Sequence, residues 1–138
     1  MGLFSRKNED RTQEILDCLS AYVRQYYSNH PSSEVRIGWA VSETEERIST
    51  MSGMEMRKLV KSAGPSAEHC ALDALMDRIM YWIQHSSSEN GAKDESKALL
   101  AMWNDINDCL LRKGYISQEK HDEKRRTGEL LSQIRSPF

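Results

Sequence analysis

The scarcity of chain-breaking residues constrains this sequence most: 138 residues contain only 7 glycines and 3 prolines. An all-β fold needs turn residues roughly every 8–12 positions, and this chain cannot supply them. Helical spacing of apolar residues is what it offers instead. From Glu9 to about Ser28, Ile15, Leu19, Tyr22 and Tyr26 recur at steps of four, three and four, widened by Leu16 and Val23. Arg11, Gln13, Asp17, Arg24 and Gln25 take most of the remaining surface, so the segment reads as an amphipathic helix. It ends at Asn29-His30-Pro31, because the residue before proline is pushed out of helical geometry.

Residues 34–51 admit two readings. Val35, Ile37, Trp39 and Val41 alternate with Arg36, Gly38, Ala40 and Ser42, the period of a half-buried strand, with Arg47–Met51 as its antiparallel partner in a short β-hairpin. Against that, Ser42-x-x-Glu45 has the form of a capping box, which would start a helix at Glu43 and carry Ile48 and Met51 inward. A lone hairpin is marginal without a helix to cover it, so the helix is preferred.

The rest of the chain reads as helices with clear punctuation. Met54–Ser62 is stopped by Gly64-Pro65, and Ser66 then caps a helix over 67–85 with Leu72, Leu75, Met76, Ile79, Met80 and Ile83 as its apolar stripe. The run 86–93 is a loop. A helix over 94–113 carries Leu99, Met102 or Trp103, Ile106 and Leu110, and Gly114 fits its C-terminal cap. Ser117 opens a last helix with Leu130, Leu131 and Ile134 as its inward anchors and a kink expected at Gly128. The expectation is a mainly α protein: one compact helical domain over 9–135, of four to six helices, behind a flexible N-terminus at 1–8.

Composition narrows the chemistry. With 19 basic and 21 acidic residues mixed along the chain, no field of one sign is built that would gather nucleic acid or anionic lipid. Cys18, Cys70 and Cys109 are odd in number and far apart, and the opening MGLFSRKNEDR lacks the apolar core of a signal peptide. Gly2 lacks the Ser or Thr at position six that myristoylation needs, since Arg6 stands there. A cytoplasmic protein with buried thiols and no membrane role is therefore expected. His69 and Cys70 are adjacent and so point about 100° apart on a helix, and no other His or Cys spacing suits a metal. There is no Gly-x-Ser-x-Gly elbow and no glycine-rich phosphate loop. Neither cofactor nor enzymatic activity is expected.

What remains is binding. Trp82, at the edge of its stripe, and the methionines Met51 and Met54 would supply adaptable apolar surface for another protein, or for a second copy in a homodimer. The sequence thus points to a non-enzymatic interaction module acting as a regulator, inhibitor or adaptor. The alternative is a nucleic-acid-associated transcriptional regulator using the basic 112–126 segment, with Lys120, Lys124, Arg125 and Arg126 on phosphate, although Glu119, Asp122 and Glu123 interrupt that set.

Overall fold

The computed structural model describes residues 2–31, 35–85 and 92–134, with side chains described for 10–31, 35–85 and 96–132. All regular structure among them is helical: α1 (Gly2–Asn29), α2 (Val35–Ser49), α3 (Gly53–Ala63), α4 (Ala67–His85), α5 (Ala92–Arg112) and α6 (Gln118–Ile134). The helices form two compact units, Met1–Ser32 with Val41–Leu75 and Ser33–Ala40 with Met76–Phe138, so α2 and α4 each give part of their length to both. Among the described residues no helix is long and apolar enough to cross a membrane. The predicted 86–93 loop falls mostly outside the described residues, and α5 already includes positions 92 and 93.

Of the two readings of 34–51, the hairpin is not formed; the preferred helix is, but it starts at Val35 rather than Glu43. No strand occurs among the described residues, and α2 runs unbroken through the segment. The physical reason lies in which side chains are buried. Ile37, Ala40, Val41, Thr44 and Ile48 are inside, at helical steps of three and four. Strand alternation would have put Val35 and Trp39 beside Ile37 and Val41, yet these two stand 58% and 45% exposed. Ser42 and Glu45 therefore sit within α2 rather than at its start. The capping box is one step later: Ser52 Oγ accepts from Glu55 N–H at 3.2 Å, and the Glu55 carboxylate accepts from Ser52 N–H at 3.3 Å.

In the first unit, α1 buries Ile15, Leu19, Val23 and Tyr26, α3 buries Met56 and Ala63, and the start of α4 buries Cys70, Ala71, Leu72, Ala74 and Leu75. α1 begins at Gly2 rather than near Glu9, since nothing from Ser5 to Asn8 breaks a helix. Gly64, at φ +89°, ends α3 in a backbone conformation that side chains resist, and its N–H donates to Val60 O at 2.7 Å. Ser66 then caps α4 by accepting from His69 N–H at 3.3 Å. The Arg11 guanidinium donates to Pro65 O at 3.1 Å and ties α1 to this turn.

In the second unit, the end of α4 buries Met76, Ile79 and Ile83, while α5 buries Leu99, Met102, Trp103, Ile106, Cys109 and Leu110. Gly114, at φ +78°, closes α5 in a Schellman motif: its N–H donates to Leu111 O, and that of Tyr115 to Leu110 O. α6 then packs back on α5. Of its predicted inward residues, the two with described side chains are not buried. Leu130 is 56% exposed, Leu131 is half-buried, and Ile134 lies outside the described side chains. The side of α6 turned to α5 carries His121, Lys124 and Gly128 instead.

Gly128 is a point of close approach. A Cβ there would lie 2.7 Å from Trp103 Nε1 and 2.8 Å from its Cδ1. The indole uses that space to donate from Nε1–H to Lys124 O at 2.8 Å. α6 remains helical through this position, so the predicted kink gives way to a contact.

Candidate functional site

The second unit carries a connected group of aromatic and cationic side chains. On α4, Arg78, Tyr81, Trp82 and His85 recur at steps of three and four, on a side other than that of buried Met76, Ile79 and Ile83. On α2, Val35 and Trp39 lie four residues apart and outside the buried stripe. The Trp39 and Trp82 rings meet at a centroid distance of 5.3 Å, tilted by 50°, and Tyr81 stands edge-on to Trp82 at 5.3 Å. The Arg36 guanidinium lies 5.8 Å from the Trp39 centroid and 6.0 Å from that of Trp82, and Arg78 is 4.2 Å from Tyr81. His85 stacks on Tyr81 at 4.0 Å and donates from Nδ1 to Tyr81 O at 2.8 Å. Tyr26 and His30 repeat this helix-ending pair in the first unit, stacked at 4.1 Å with an Nδ1–H donated to Tyr26 O.

These contacts fix the rings without hiding them. Trp39 remains 45% and Tyr81 38% exposed, although each offers a large apolar area whose burial is favourable. Sequence reasoning found Trp82 but missed Trp39, Arg36, Tyr81 and Val35, because its preferred helix began only at Glu43 and its alternative made Trp39 an inward strand residue. The available signal was the i, i+4 spacing of Val35 and Trp39 once α2 is taken as a helix.

The other expected partner-binding residues belong to the first unit. Met54 stands 61% exposed on α3, and Met51 is half-buried just ahead of it. Met56, Met76 and Met102 are buried core. All three cysteines are free; Cys70 and Cys109 are buried and Cys18 is half-buried. Burial pushes the Cys70 thiol up, assisted by Asp73 and opposed by Arg11, which makes it a poor thiolate at neutral pH. Among the described residues no three His, Cys, Asp or Glu side chains are placed to hold a metal ion.

Lys120, Lys124, Arg125 and Arg126 all fall on α6, but in mixed company. Lys120 lies 3.9 Å from Glu123 and Arg125 3.6 Å from Glu129. Arg126 acts on Asp122, whose carboxyl is held below its usual range chiefly by the Gln118 amide, then by His121. Lys124 gives its carbonyl to Trp103. A phosphate backbone would meet both signs here.

α6 also brings a buried imidazole to α5. His121 donates from Nε2 to Asp108 at 2.7 Å, with Asp122 3.4 Å from Nδ1, and its carbonyl accepts from the Asn107 amide at 2.8 Å. The Asp108 bond, opposed by burial and helped by Asp122, raises the imidazole above its ordinary 6.5. A raised folded-state value means that the added stability is fully present below that ordinary value and is lost as pH rises through the folded one. Urea unfolding midpoints should therefore fall as pH rises above the ordinary imidazole range, and His121→Gln should flatten that part of the profile. A flat parent profile would show that the bond to Asp108 contributes nothing.

Comparison with protein-family models, with curated proteins and with solved structures finds no match to this chain.

Proposed function

We propose that this protein is a non-enzymatic interaction module, a regulator, inhibitor or adaptor, that binds a protein partner through the Trp39–Trp82–Tyr81 surface. The observation that carries this reading is the combination of exposure and order: two tryptophans, a tyrosine and two arginines held against one another, with Trp39 and Tyr81 still open to solvent. Trp, Tyr and Arg dominate binding hot spots, because rigid rings bring much area at little entropic cost. Prior ring contacts reduce that cost further. The alternative, nucleic-acid binding through α6, draws no support from its interleaved carboxylates.

The test is affinity capture from the native host with the parent, with Trp39→Ala/Tyr81→Ala, and with Lys120, Lys124, Arg125 and Arg126 all changed to Gln. The aromatic pair should lose the partner, by roughly 2 kcal/mol or more per hot-spot side chain, while helical content stays at the parental value. The Gln set should retain it. Sedimentation of the purified protein separates a foreign partner from a second copy, since a homodimer would fall apart in the aromatic variant alone. Partner loss in the Gln set, with the aromatic variant unaffected, would replace this reading with the nucleic-acid one.

A further inference from the structure

The outer face of α3 has a composition that the aromatic surface does not explain. Successive helical residues turn by about 100°, which places Arg57, Lys58 and Lys61 within about 60° of Met54 around the helix axis. All four are exposed, Met54 by 61%, while Met56 and Ala63 take the buried side. Among the described residues, none of the three cations has an ion pair or a hydrogen-bond partner. The one carboxylate of the helix, Glu55, lies to the side and is engaged at the Ser52 N–H. On α6, by contrast, Lys120 and Arg125 have glutamates beside them. The capping box before α3 and Gly64 after it hold this face on a fixed frame.

We infer that the outer face of α3 docks an acidic protein segment bearing an apolar side chain, which covers Met54 while carboxylates of the segment meet Arg57, Lys58 and Lys61. Charge sets the sign of the occupant: three uncompensated cations within two turns call for anions. The thioether sets its class. A phosphate backbone offers Met54 nothing, and three cations fall short of the roughly 6–10 phosphate contacts of nucleic-acid binders. A lipid surface would need several apolar side chains to enter it, and those of α3 other than Met54 are buried or half-buried. A symmetric pairing of two α3 faces would set like charges together. An acidic segment with one apolar anchor satisfies both halves of the face, and the flexible methionine adapts to its shape. The surface belongs to the first unit and uses none of the residues of the aromatic cluster, so it does not rest on the function proposed above.

The full chain is titrated, by fluorescence anisotropy, with three labelled probes: a Glu–Leu peptide with leucines at helical spacing, a Glu–Ser peptide of equal charge, and a short DNA duplex. The Glu–Leu peptide should bind tightest. Met54→Ser should weaken it about tenfold, the loss of one buried apolar side chain, and bring it level with the Glu–Ser peptide. Arg57→Glu/Lys58→Glu/Lys61→Glu should abolish binding of both peptides, and Trp39→Ala/Tyr81→Ala should change neither. Amide shift changes on adding the Glu–Leu peptide should centre on α3. Circular dichroism checks the helical content of each variant, and Lys58→Gln, the mildest change, should still weaken binding severalfold. The inference is overturned if neither peptide binds, if the duplex binds at least as tightly, if Met54→Ser has no effect, or if the shifts lie elsewhere.

Discussion

Replacing Gly128 with leucine should lower the unfolding free energy by roughly 3 kcal/mol or more and release α6 from α5. The alanine variant is the sharper measurement, because two effects of known sign oppose one another there. Glycine inside a helix costs about 1 kcal/mol relative to alanine, so propensity alone predicts that Gly128→Ala stabilises. The new methyl, however, would stand 2.7 Å from Trp103 Nε1 and 3.0 Å from Leu100 Cδ1. The leucine tip can move aside. The indole cannot do so freely, since Nε1–H donates to Lys124 O, and a buried donor left unpaired costs about 1–3 kcal/mol. Adding overpacking of about 1–3 kcal/mol, the clash outweighs the propensity gain of about 1 kcal/mol, and Gly128→Ala should be destabilised by roughly 1–5 kcal/mol in urea. Stabilisation by alanine would mean that α6 does not approach Trp103 closely. Trp103→Phe tests the same node from the other side, removing the donor while leaving Gly128 room.

Helix existence was legible wherever the core was apolar and periodic. α4 occupies the predicted 67–85, and Ser66, Ser117 and Gly114 cap helices as their chemistry demands. Two places were not legible, for different reasons. In 34–51, Ile37 and Val41 satisfy both the strand and the helix period, and the burial of Ala40, Thr44 and Ile48 with the exposure of Val35 and Trp39 separates the two. A buried threonine carries no weight in an apolar count. On α6, the side turned to α5 holds His121, Lys124 and Gly128, none of them apolar side chains. Periodicity therefore chose Leu130, Leu131 and Ile134, of which Leu130 is exposed and Leu131 half-buried. What docks α6 is a set of polar bonds, from Trp103 to Lys124 O, from Asn107 to His121 O and from His121 to Asp108, and residue spacing does not announce them.

The candidate surfaces divide along the same line. Trp82 and Met54 could be singled out as residues beyond the needs of one core, since each sits off its helix's buried side. Tyr81 adjoins Trp82 in sequence, whereas the pairing of Trp39 with Trp82 depends on α2 being a helix and crosses a sequence separation that no local pattern spans. The basic set was chosen on α6, where cations are densest along the chain. Density takes no account of neighbouring carboxylates: i, i+3 and i, i+4 glutamates meet Lys120 and Arg125 there, whereas on α3 the carboxylate three residues before Lys58, Glu55, is engaged at the Ser52 N–H.

Truncating Ile106 to alanine should cost about 2–4 kcal/mol, whereas Leu130→Ala should change stability by less than about 0.5 kcal/mol. Both residues were expected inside, on helices that pack together, so the pair isolates burial from residue type. Ile106 is fully buried on α5. Its truncation loses the transfer free energy of the removed carbons and leaves a void in the core, which adds the cavity term. Leu130 already exposes more than half its surface on α6, and the alanine gains slightly in helix propensity, so little is lost. Urea midpoints at constant m-value give both numbers. Equal destabilisation by the two would place Leu130 in the core and return the docking of α6 to its apolar residues. A neutral Ile106→Ala would remove the α5 stripe from the core altogether. The predicted asymmetry would leave Leu130 a surface side chain and make the His121, Lys124 and Gly128 side of α6 the one that holds the helix.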